Sequence, residues 1–130
     1  VGSFTRYGEN EIGGAAGSVR TVSFTLFGQP CLAVNGGPHF AFNDSMSFIV
    51  HCDTQADIDR LWAALTADGG QPVRCGWLKD KFGLPWQIVP RQLGEWMRDA
   101  DPARAQRVMQ AVLGMVKLDL ATLKQVYEQD

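Results

Sequence analysis

The side chains with the greatest chemical potential lie in one segment, Cys75–Pro90, which holds a thiol, an ammonium group, two indoles and a carboxamide. Trp86 and Gln87 are adjacent there, so a β-strand would direct their side chains to opposite faces. Such a strand packs its apolar face against the protein and leaves its polar face available to contact another group. The functional question is which molecule meets the polar face.

Cys75 is the candidate nucleophile of this segment. A nearby cation such as Lys79 would favour its thiolate form. No histidine lies close in sequence to act as a base, so a buried, unreactive thiol is the preferred interpretation. Lys79 and Asp80 are then read as parts of a turn.

Metal ligands are scarce in this chain. The only histidines are His39 and His51, and both are interpreted as solvated or hydrogen-bonded side chains. The three cysteines are odd in number, and no two stand at CxxC spacing. We therefore predict neither a disulfide framework nor a structural zinc site, and reduced thiols point to the cytoplasm.

Alternating patterns predict the strands that position these groups. Ser18–Leu26 alternates apolar and hydroxyl side chains, and a turn at Phe27–Gln29 leads into the returning strand Cys31–Asn35. A further strand is predicted over Ser45–Asp53, which places Ser47 on the same face as His51. A short strand is also expected near Phe4, followed by a glycine-rich loop.

The period then changes to that of a helix, with a stripe formed by Ile58, Leu61, Trp62 and Leu65. Thr54 is its predicted N-cap, with Asp57 three residues later. Three short antiparallel strands follow, at 72–75, 77–79 and 84–89. Helices with Asp101 and Asp119 as N-caps complete the chain, so the predicted class is α+β.

Composition limits the possible partners. A chain of 130 residues with 45% hydrophobic and 20% charged residues is expected to form one domain. Its formal net charge of −2 gives no reason to expect nucleic acid or an acidic membrane as a partner. No apolar run reaches the roughly 20 residues that a membrane helix needs.

Several segments resemble one known family, the PhnB-like proteins, also called 3-demethylubiquinone-9 3-methyltransferase-like. They are Gly28–Gln29, Asn35–Pro38, Ser47–Cys52, Cys75–Asp80 and Trp86–Pro90. The resemblance implies the fold of the vicinal oxygen chelate superfamily, which includes glyoxalase I, extradiol dioxygenases and bleomycin-resistance proteins. That fold consists of paired βαβββ modules whose sheets enclose a cleft.

The resemblance also implies a division of the chain. Residues 1–40 would be the remainder of a first module, 45–90 a complete second module, and 91–130 C-terminal helices. The first strand and helix of the first module would precede Val1, or another chain would take their place, because the sheet would otherwise have an unpaired edge. Homodimerisation is expected from the same resemblance.

The ligand-binding candidates are Asn35, Ser47, Cys75, Trp77, Trp86 and Gln87. Core packing is the competing interpretation for the two tryptophans, whereas Trp62 and Trp96 are assigned to the core. In metal-dependent relatives a glutamate occupies the position that Gln87 resembles, and a neutral amide is a poor substitute. We therefore predict no metal ligands and no cofactor.

Three functions stay open at this stage. The first is a glyoxalase-type small-molecule cleft without a full metal set, and the second is a non-catalytic protein that sequesters its ligand. The third is a metal-dependent lyase or dioxygenase whose missing ligand lies before Val1. Methyl transfer has little support, because no GxGxxG follows a strand.

Overall fold

The computed structural model describes residues 1–129. The chain divides into two compact units, Val1–Ala41 and Phe42–Asp130. Within the described residues there are two β-sheets and four α-helices, which confirms the predicted α+β class.

The first unit is an antiparallel sheet. Its strands are β1 Phe4–Arg6, β2 Val19–Leu26 and β3 Gln29–Val34, in the order β1-β2-β3. The turn between β2 and β3 has positive φ at both Phe27 (48°) and Gly28 (80°), as in the hairpin turns that follow the twist of the strands. The predicted hairpin is therefore confirmed.

Tyr7 organises the glycine-rich loop of this unit. Its side chain is buried, and its hydroxyl donates a hydrogen bond to the backbone carbonyl of Asn35. A Cβ on Gly14 would lie 2.4 Å from the Tyr7 ring, so the loop follows the ring closely only because that position lacks a side chain.

The second unit contains a mixed sheet. Its strands are β4 Phe48–Cys52, β5 Gln71–Pro72, β6 Trp77–Lys79 and β7 Pro85–Pro90. The spatial order is β4-β7-β6-β5, in which β4 runs parallel to β7 and the other neighbours are antiparallel. Helix α1, Gln55–Thr66, connects β4 to β5, which gives the predicted order of strand, helix, strand, strand, strand.

Two predicted strands were too long. The strand expected from Ser45 begins at Phe48, because the Asn43 side chain accepts hydrogen bonds from the Ser45 backbone and hydroxyl and forms a turn. The strand expected to reach Cys75 ends at Pro72. Cys75 has a φ of 63° and belongs to a tight turn instead.

Helix α1 starts as its sequence predicts. The Thr54 hydroxyl accepts a hydrogen bond from the Asp57 backbone N–H at 3.1 Å and donates one to the Asp57 carboxylate at 2.9 Å. Ile58 and Trp62 of the apolar stripe are buried. This stripe packs on β4, β6 and β7, so α1 covers one face of the sheet.

The C-terminal part is helical, with α2 Arg91–Trp96, α3 Pro102–Leu113 and α4 Leu120–Glu128. Asp101 and Asp119 cap α3 and α4 as predicted. Trp96 is buried in a cluster with Val89, Val108, Val112, Leu118 and Leu123. In residues 1–129 no helix is long and apolar enough to cross a membrane.

A tyrosine–aspartate hydrogen bond predicts a specific pH dependence. Tyr127 donates to Asp99 at 2.5 Å, and this bond lowers the pKa of the Asp99 carboxyl and raises the pKa of the Tyr127 hydroxyl. The contribution of Asp99 to stability is present above pH 3.8, the ordinary pKa of an aspartate, and is lost as the pH falls through the lowered pKa of this carboxyl. The contribution of Tyr127 to stability is present below pH 10.0, the ordinary pKa of a tyrosine, and is lost as the pH rises through the raised pKa of this hydroxyl.

We therefore expect the stability difference between wild type and Tyr127→Phe to be constant near neutral pH and to shrink at both extremes. Urea denaturation across the pH range measures it. Tyr7→Phe is the matched control, because the acceptor of the Tyr7 hydroxyl is a backbone carbonyl that does not titrate. A Tyr127→Phe difference that stays unchanged from neutral to strongly acidic pH would contradict the assignment.

Candidate functional site

Alternation along the strands of the second unit separates the side chains of its sheet into two faces. Trp77, Gln87 and Ile49 are aligned across β6, β7 and β4 and share one face. On the other face, Trp86 is aligned with Leu78 and Phe48. The predicted separation of Trp86 from Gln87 is therefore present.

The two faces differ in exposure. On the Trp86 side, Leu78 and Ile88 are completely buried, which is the face that α1 covers. On the opposite side, Ile49 is 52% exposed, and Gln87 and Trp77 are half-buried, although Pro85 and Val89, which flank Gln87 on that side of β7, are buried. We call this second surface the open face and define it by Ser47, Ile49, Trp77, Lys79 and Gln87.

A side-chain hydrogen bond fixes the centre of the open face. The Gln87 amide nitrogen donates to the Ser47 hydroxyl at 2.9 Å. Within residues 1–129, this leaves the Gln87 carbonyl oxygen free to accept a hydrogen bond and the Ser47 hydroxyl free to donate one. The pair is thus an oriented donor and acceptor beside the Trp77 indole.

A hollow of about 360 Å³ lies at the Trp77 and Lys79 side of the open face, and neither Gln87 nor Ser47 lines it. Trp77 and Lys79 line it together with Arg74 and Asp44. Its volume lies within the roughly 300–1,000 Å³ of small-molecule sites. The Lys79 ammonium is 3.2 Å from a carboxylate oxygen of Asp44. The positive charge of Lys79 at the wall of the hollow is therefore paired with Asp44 at the surface.

A second hollow, of about 440 Å³, lies on α4. Residues of that one helix and its C-terminal end line it, all of them exposed and none aromatic. A ligand site is normally enclosed by side chains from several helices or strands, and this hollow is lined by one helix alone. The hollow beside Trp77 is therefore the better candidate site.

Cys75 lies at the wall of the same hollow, in a turn and not in a strand. Trp77 donates its backbone N–H to the Arg74 carbonyl at 3.1 Å, and the two residues between them, Cys75 and Gly76, have φ values of 63° and 80°. The Cys75 side chain is half-buried and packs against the C-terminal helical cluster. This packing supports the interpretation of a structural thiol.

Trp86 is placed apart from the other candidates. It is 9% exposed on the helix-covered face, its ring centroid is 5.2 Å from that of Phe48, and its indole N–H donates to Asp80 at 3.0 Å. Of the two tryptophans selected from the sequence, Trp77 is therefore the one on the open face.

Asn35 belongs to the first unit and has a different set of contacts. Its amide nitrogen donates to the Val19 carbonyl at 3.1 Å, and its backbone carbonyl accepts from the Tyr7 hydroxyl. These bonds hold the end of β3 against β2 and the glycine-rich loop. The structure thus gives Asn35 a clear local role in its own sheet.

The donor groups of the open face do not fit a divalent metal. Its centre offers a carboxamide and a hydroxyl that already bond each other, beside the apolar Ile49 and Trp77, and no carboxylate or imidazole. In the described residues no three His, Cys, Asp or Glu side chains form a metal-binding group. His51 is exposed near the end of β4, and His39 is exposed in a loop.

Strand order and the exposed sheet face define an α+β protein with a glyoxalase-like fold. The sequence profile of the 3-demethylubiquinone-9 3-methyltransferase family matches residues 1–89. The chain belongs to this PhnB-like family, as its sequence segments predicted.

A solved relative supports the assignment. It is the PhnB protein of Bacillus cereus, whose name also refers to 3-demethylubiquinone-9 3-methyltransferase. The two sequences are 33% identical, the match covers 67% of this chain and 76% of that one, and the TM-score is 0.58. No functionally curated protein matches the sequence.

The charged residues of the hollow, Lys79, Asp44 and Arg74, are not among the ligand candidates predicted from the sequence. The sequence places Lys79 in the strand 77–79 and gives it a role beside Cys75 or in a turn, whereas its alternation with Trp77 puts both side chains on one face. Asp44 lies in an irregular segment before β4, and no periodic pattern connects it to the distant Lys79.

Proposed function

We propose that this protein binds a small organic molecule with a planar, conjugated part on the open face, without a metal ion. The observation that carries the proposal is the position of Trp77 beside Gln87, whose amide is oriented by Ser47 at 2.9 Å. An accessible indole next to a fixed polar pair is the composition of a small-molecule site: an apolar wall with few, well-placed polar groups.

Trp77 supplies the apolar surface. Its side chain is half-buried and lines the hollow, so its backbone position is fixed by β6 while part of the ring stays accessible. A planar ligand that stacks there removes apolar area from water on both partners, which is the main source of affinity at such sites.

Gln87 and Ser47 supply specificity. Because the Gln87 amide nitrogen is engaged with Ser47, its carbonyl oxygen is the group presented to a ligand. A ligand with a hydroxyl or N–H near its ring would satisfy that acceptor. A ligand without one would leave it desolvated at a cost of about 1–3 kcal/mol.

Binding without a chemical step is the function these contacts support. Among the five residues that define the open face, Lys79 is the ionisable one, and Asp44 pairs with it; His51 lies further along β4 on the same side. No polarised nucleophile or acid–base pair stands beside Gln87 among the described contacts. A ligand-sequestering protein is therefore our proposal, in preference to a lyase or dioxygenase.

The family name refers to methyl transfer, but we assign no such step to this chain. S-adenosylmethionine sites of the doubly wound kind use a glycine-rich passage from a strand of a parallel sheet to a helix. Here the passage from Cys52 to Gln55 has no glycine, and the Thr54 side chain already caps α1. Only β4 and β7 pair in parallel within the described sheets.

We also propose the larger organisation that the family resemblance implies. Residues 1–40 would belong to a first βαβββ module, 45–90 would be the second, 91–130 would be C-terminal helices, and the native protein would be a homodimer. The half-buried apolar side chains of Val22, Phe24 and Leu26 on the helix-free sheet of the first unit support a covering partner segment. Three free thiols, Cys31, Cys52 and Cys75, support a reducing, cytoplasmic location.

The binding proposal is tested by NMR of the four tryptophan indole N–H groups with 2-naphthamide as the probe. We expect the Trp77 resonance, assigned with Trp77→Phe, to shift saturably, because its ring lines the hollow. The buried Trp86 indole, bonded to Asp80, serves as the internal control and should stay in place. Gln87→Leu should weaken binding by up to about tenfold, the value of one hydrogen bond.

A probe that leaves the Trp77 resonance unmoved up to its solubility limit would overturn the proposed function. Equal shifts of all four indoles would do the same, since they would indicate non-specific association.

A further inference from the structure

We propose that the hollow beside Trp77 selects ligands that carry a negative charge, and that Asp44 is the group such a ligand displaces from Lys79. This inference rests on the proposed function and specifies its ligand class: a planar molecule bearing a carboxylate or a comparable anion. Nothing in the family relationship assigns such a subsite.

The charge that lines the hollow is predominantly positive. Two cations, Lys79 and Arg74, stand at its wall against one anion, Asp44. Lys79 is on the same face as Trp77, two residues away, and both line the hollow, so its ammonium is within reach of a ligand stacked on the indole. A ligand whose ring contacts Trp77 therefore meets a positive edge of the hollow.

The two members of the Lys79–Asp44 pair differ in exposure. The Lys79 side chain is 36% exposed, whereas Asp44 is 67% exposed and projects from an irregular segment. An exposed ion pair of this kind contributes little to stability. A ligand anion that is already held by its ring on Trp77 replaces Asp44 at little cost, since it regains the same interaction with less loss of freedom.

The charged side chains next to Lys79 in sequence, Asp80 and Lys81, do not compete for a ligand in the hollow. The carboxylate of Asp80, the next residue after Lys79, accepts hydrogen bonds from the backbone N–H of Phe82 and the indole of Trp86, which lies on the opposite face. Lys81 lies over the Phe82 ring at 5.3 Å and does not line the hollow. Asp44 is thus the anion that a ligand has to replace.

The test compares 2-naphthoate with 2-naphthamide, which share a ring and differ in charge, using the Trp77 indole resonance of the whole chain. At low salt we expect naphthoate to bind roughly threefold to fivefold more tightly than naphthamide, the range of an exposed charge pair. High salt should reduce this preference, because it screens exposed charges.

Two variants test whether the preference for naphthoate over naphthamide arises from the Lys79–Asp44 pair. Lys79→Met should reduce the ratio of affinities to about one, and Asp44→Asn should raise naphthoate affinity while leaving naphthamide affinity unchanged. Lys81→Met is the matched control: it removes the same charge outside the hollow and should keep the wild-type ratio.

The outcomes separate the two proposals. Equal affinity of both probes at low salt, or an unchanged preference in Lys79→Met, overturns the anionic subsite while the proposed binding function stands. Failure of both probes to shift Trp77 overturns the binding function and the subsite with it.

Discussion

Gly76→Ala is expected to destabilise the protein by about 3 kcal/mol, the sum of a left-handed backbone penalty and a packing clash. Gly76 has a φ of 80°, which is unfavourable for any residue with a Cβ. A Cβ there would also lie 3.0 Å from the Leu118 side chain and 3.1 Å from the Ile88 carbonyl oxygen. Both neighbours are completely buried and have little room to move.

The position of Gly76 explains why the effect would extend through the second unit. Its N–H donates to Val116 at 2.8 Å and the preceding Cys75 N–H donates to Met115 at 2.8 Å, so the hairpin turn is bonded to the segment between α3 and α4. The Gln55 side chain of α1 donates to the Leu118 carbonyl in that same segment and accepts from the Leu120 N–H at the start of α4. The turn thus connects the sheet, α1 and the C-terminal helices.

Gly83→Ala is the matched control for this substitution. Gly83 has nearly the same φ, 83°, but no heavy atom lies within 4 Å of the position its Cβ would take. We expect it to cost about 1 kcal/mol from the backbone alone. Urea denaturation followed by tryptophan fluorescence measures both variants, and equal losses would show that the contact with Leu118 carries no energy.

Periodicity predicted the framework because the dominant forces are local and repetitive there. The stripe of Ile58 and Trp62 identified α1, and Thr54 marked its first turn, since both signals arise within one or two helical turns. The strand β7 was identified in the same way. These features depend on neighbours in sequence, so the sequence contains most of the information.

The features that were missed depend either on local backbone conformations that alternation does not encode or on residues distant in sequence. The strand limits at Phe48 and Pro72 are set by an asparagine turn and by a left-handed cysteine, and alternation alone carries neither signal. The Lys79–Asp44 pair joins positions in a strand and an irregular segment. Only the fold brings these two together, which is why the charged part of the candidate site emerged from the structure.

The prediction for Trp86 shows how alternation decides between interpretations. Both Trp77 and Trp86 were selected from the sequence as pocket candidates, with core packing as the alternative. The strand register places Trp86 opposite Leu78 on the covered face and Trp77 opposite Gln87 on the open one. The same rule that separated Trp86 from Gln87 in the sequence therefore also separates the two tryptophans.

Asp80→Ala is expected to cost about 3 kcal/mol, because one carboxylate satisfies three donors of the β6–β7 hairpin. It accepts from the backbone N–H groups of Phe82 at 2.9 Å and Leu84 at 3.1 Å, and from the Trp86 indole at 3.0 Å. The indole is the costly one to leave unpaired, because Trp86 is 9% exposed. The Phe82 N–H lies in an exposed turn, where water replaces a lost partner.

Asp80→Asn isolates the indole bond. Its single carbonyl oxygen replaces the carboxylate oxygen that accepts from Phe82 and Leu84, while its amide group, a donor, faces the donor N–H of Trp86. We therefore expect a loss of about 2 kcal/mol, together with faster hydrogen exchange of the Trp86 indole. Asp53→Asn, at an exposed pair with Arg91, is the matched control and should cost at most about 1 kcal/mol.

A double-mutant cycle with Trp86→Phe decides whether the indole bond is the cause. Phenylalanine removes the N–H, so Asp80→Asn should cost much less in that background than in wild type, with a coupling energy on the order of 1 kcal/mol. Strictly additive losses would assign the effect of Asp80 to the turn backbone alone. Coupling would instead show that the buried indole and the hairpin turn stabilise each other, which holds Trp77 and Gln87 in register on the opposite face of the same two strands.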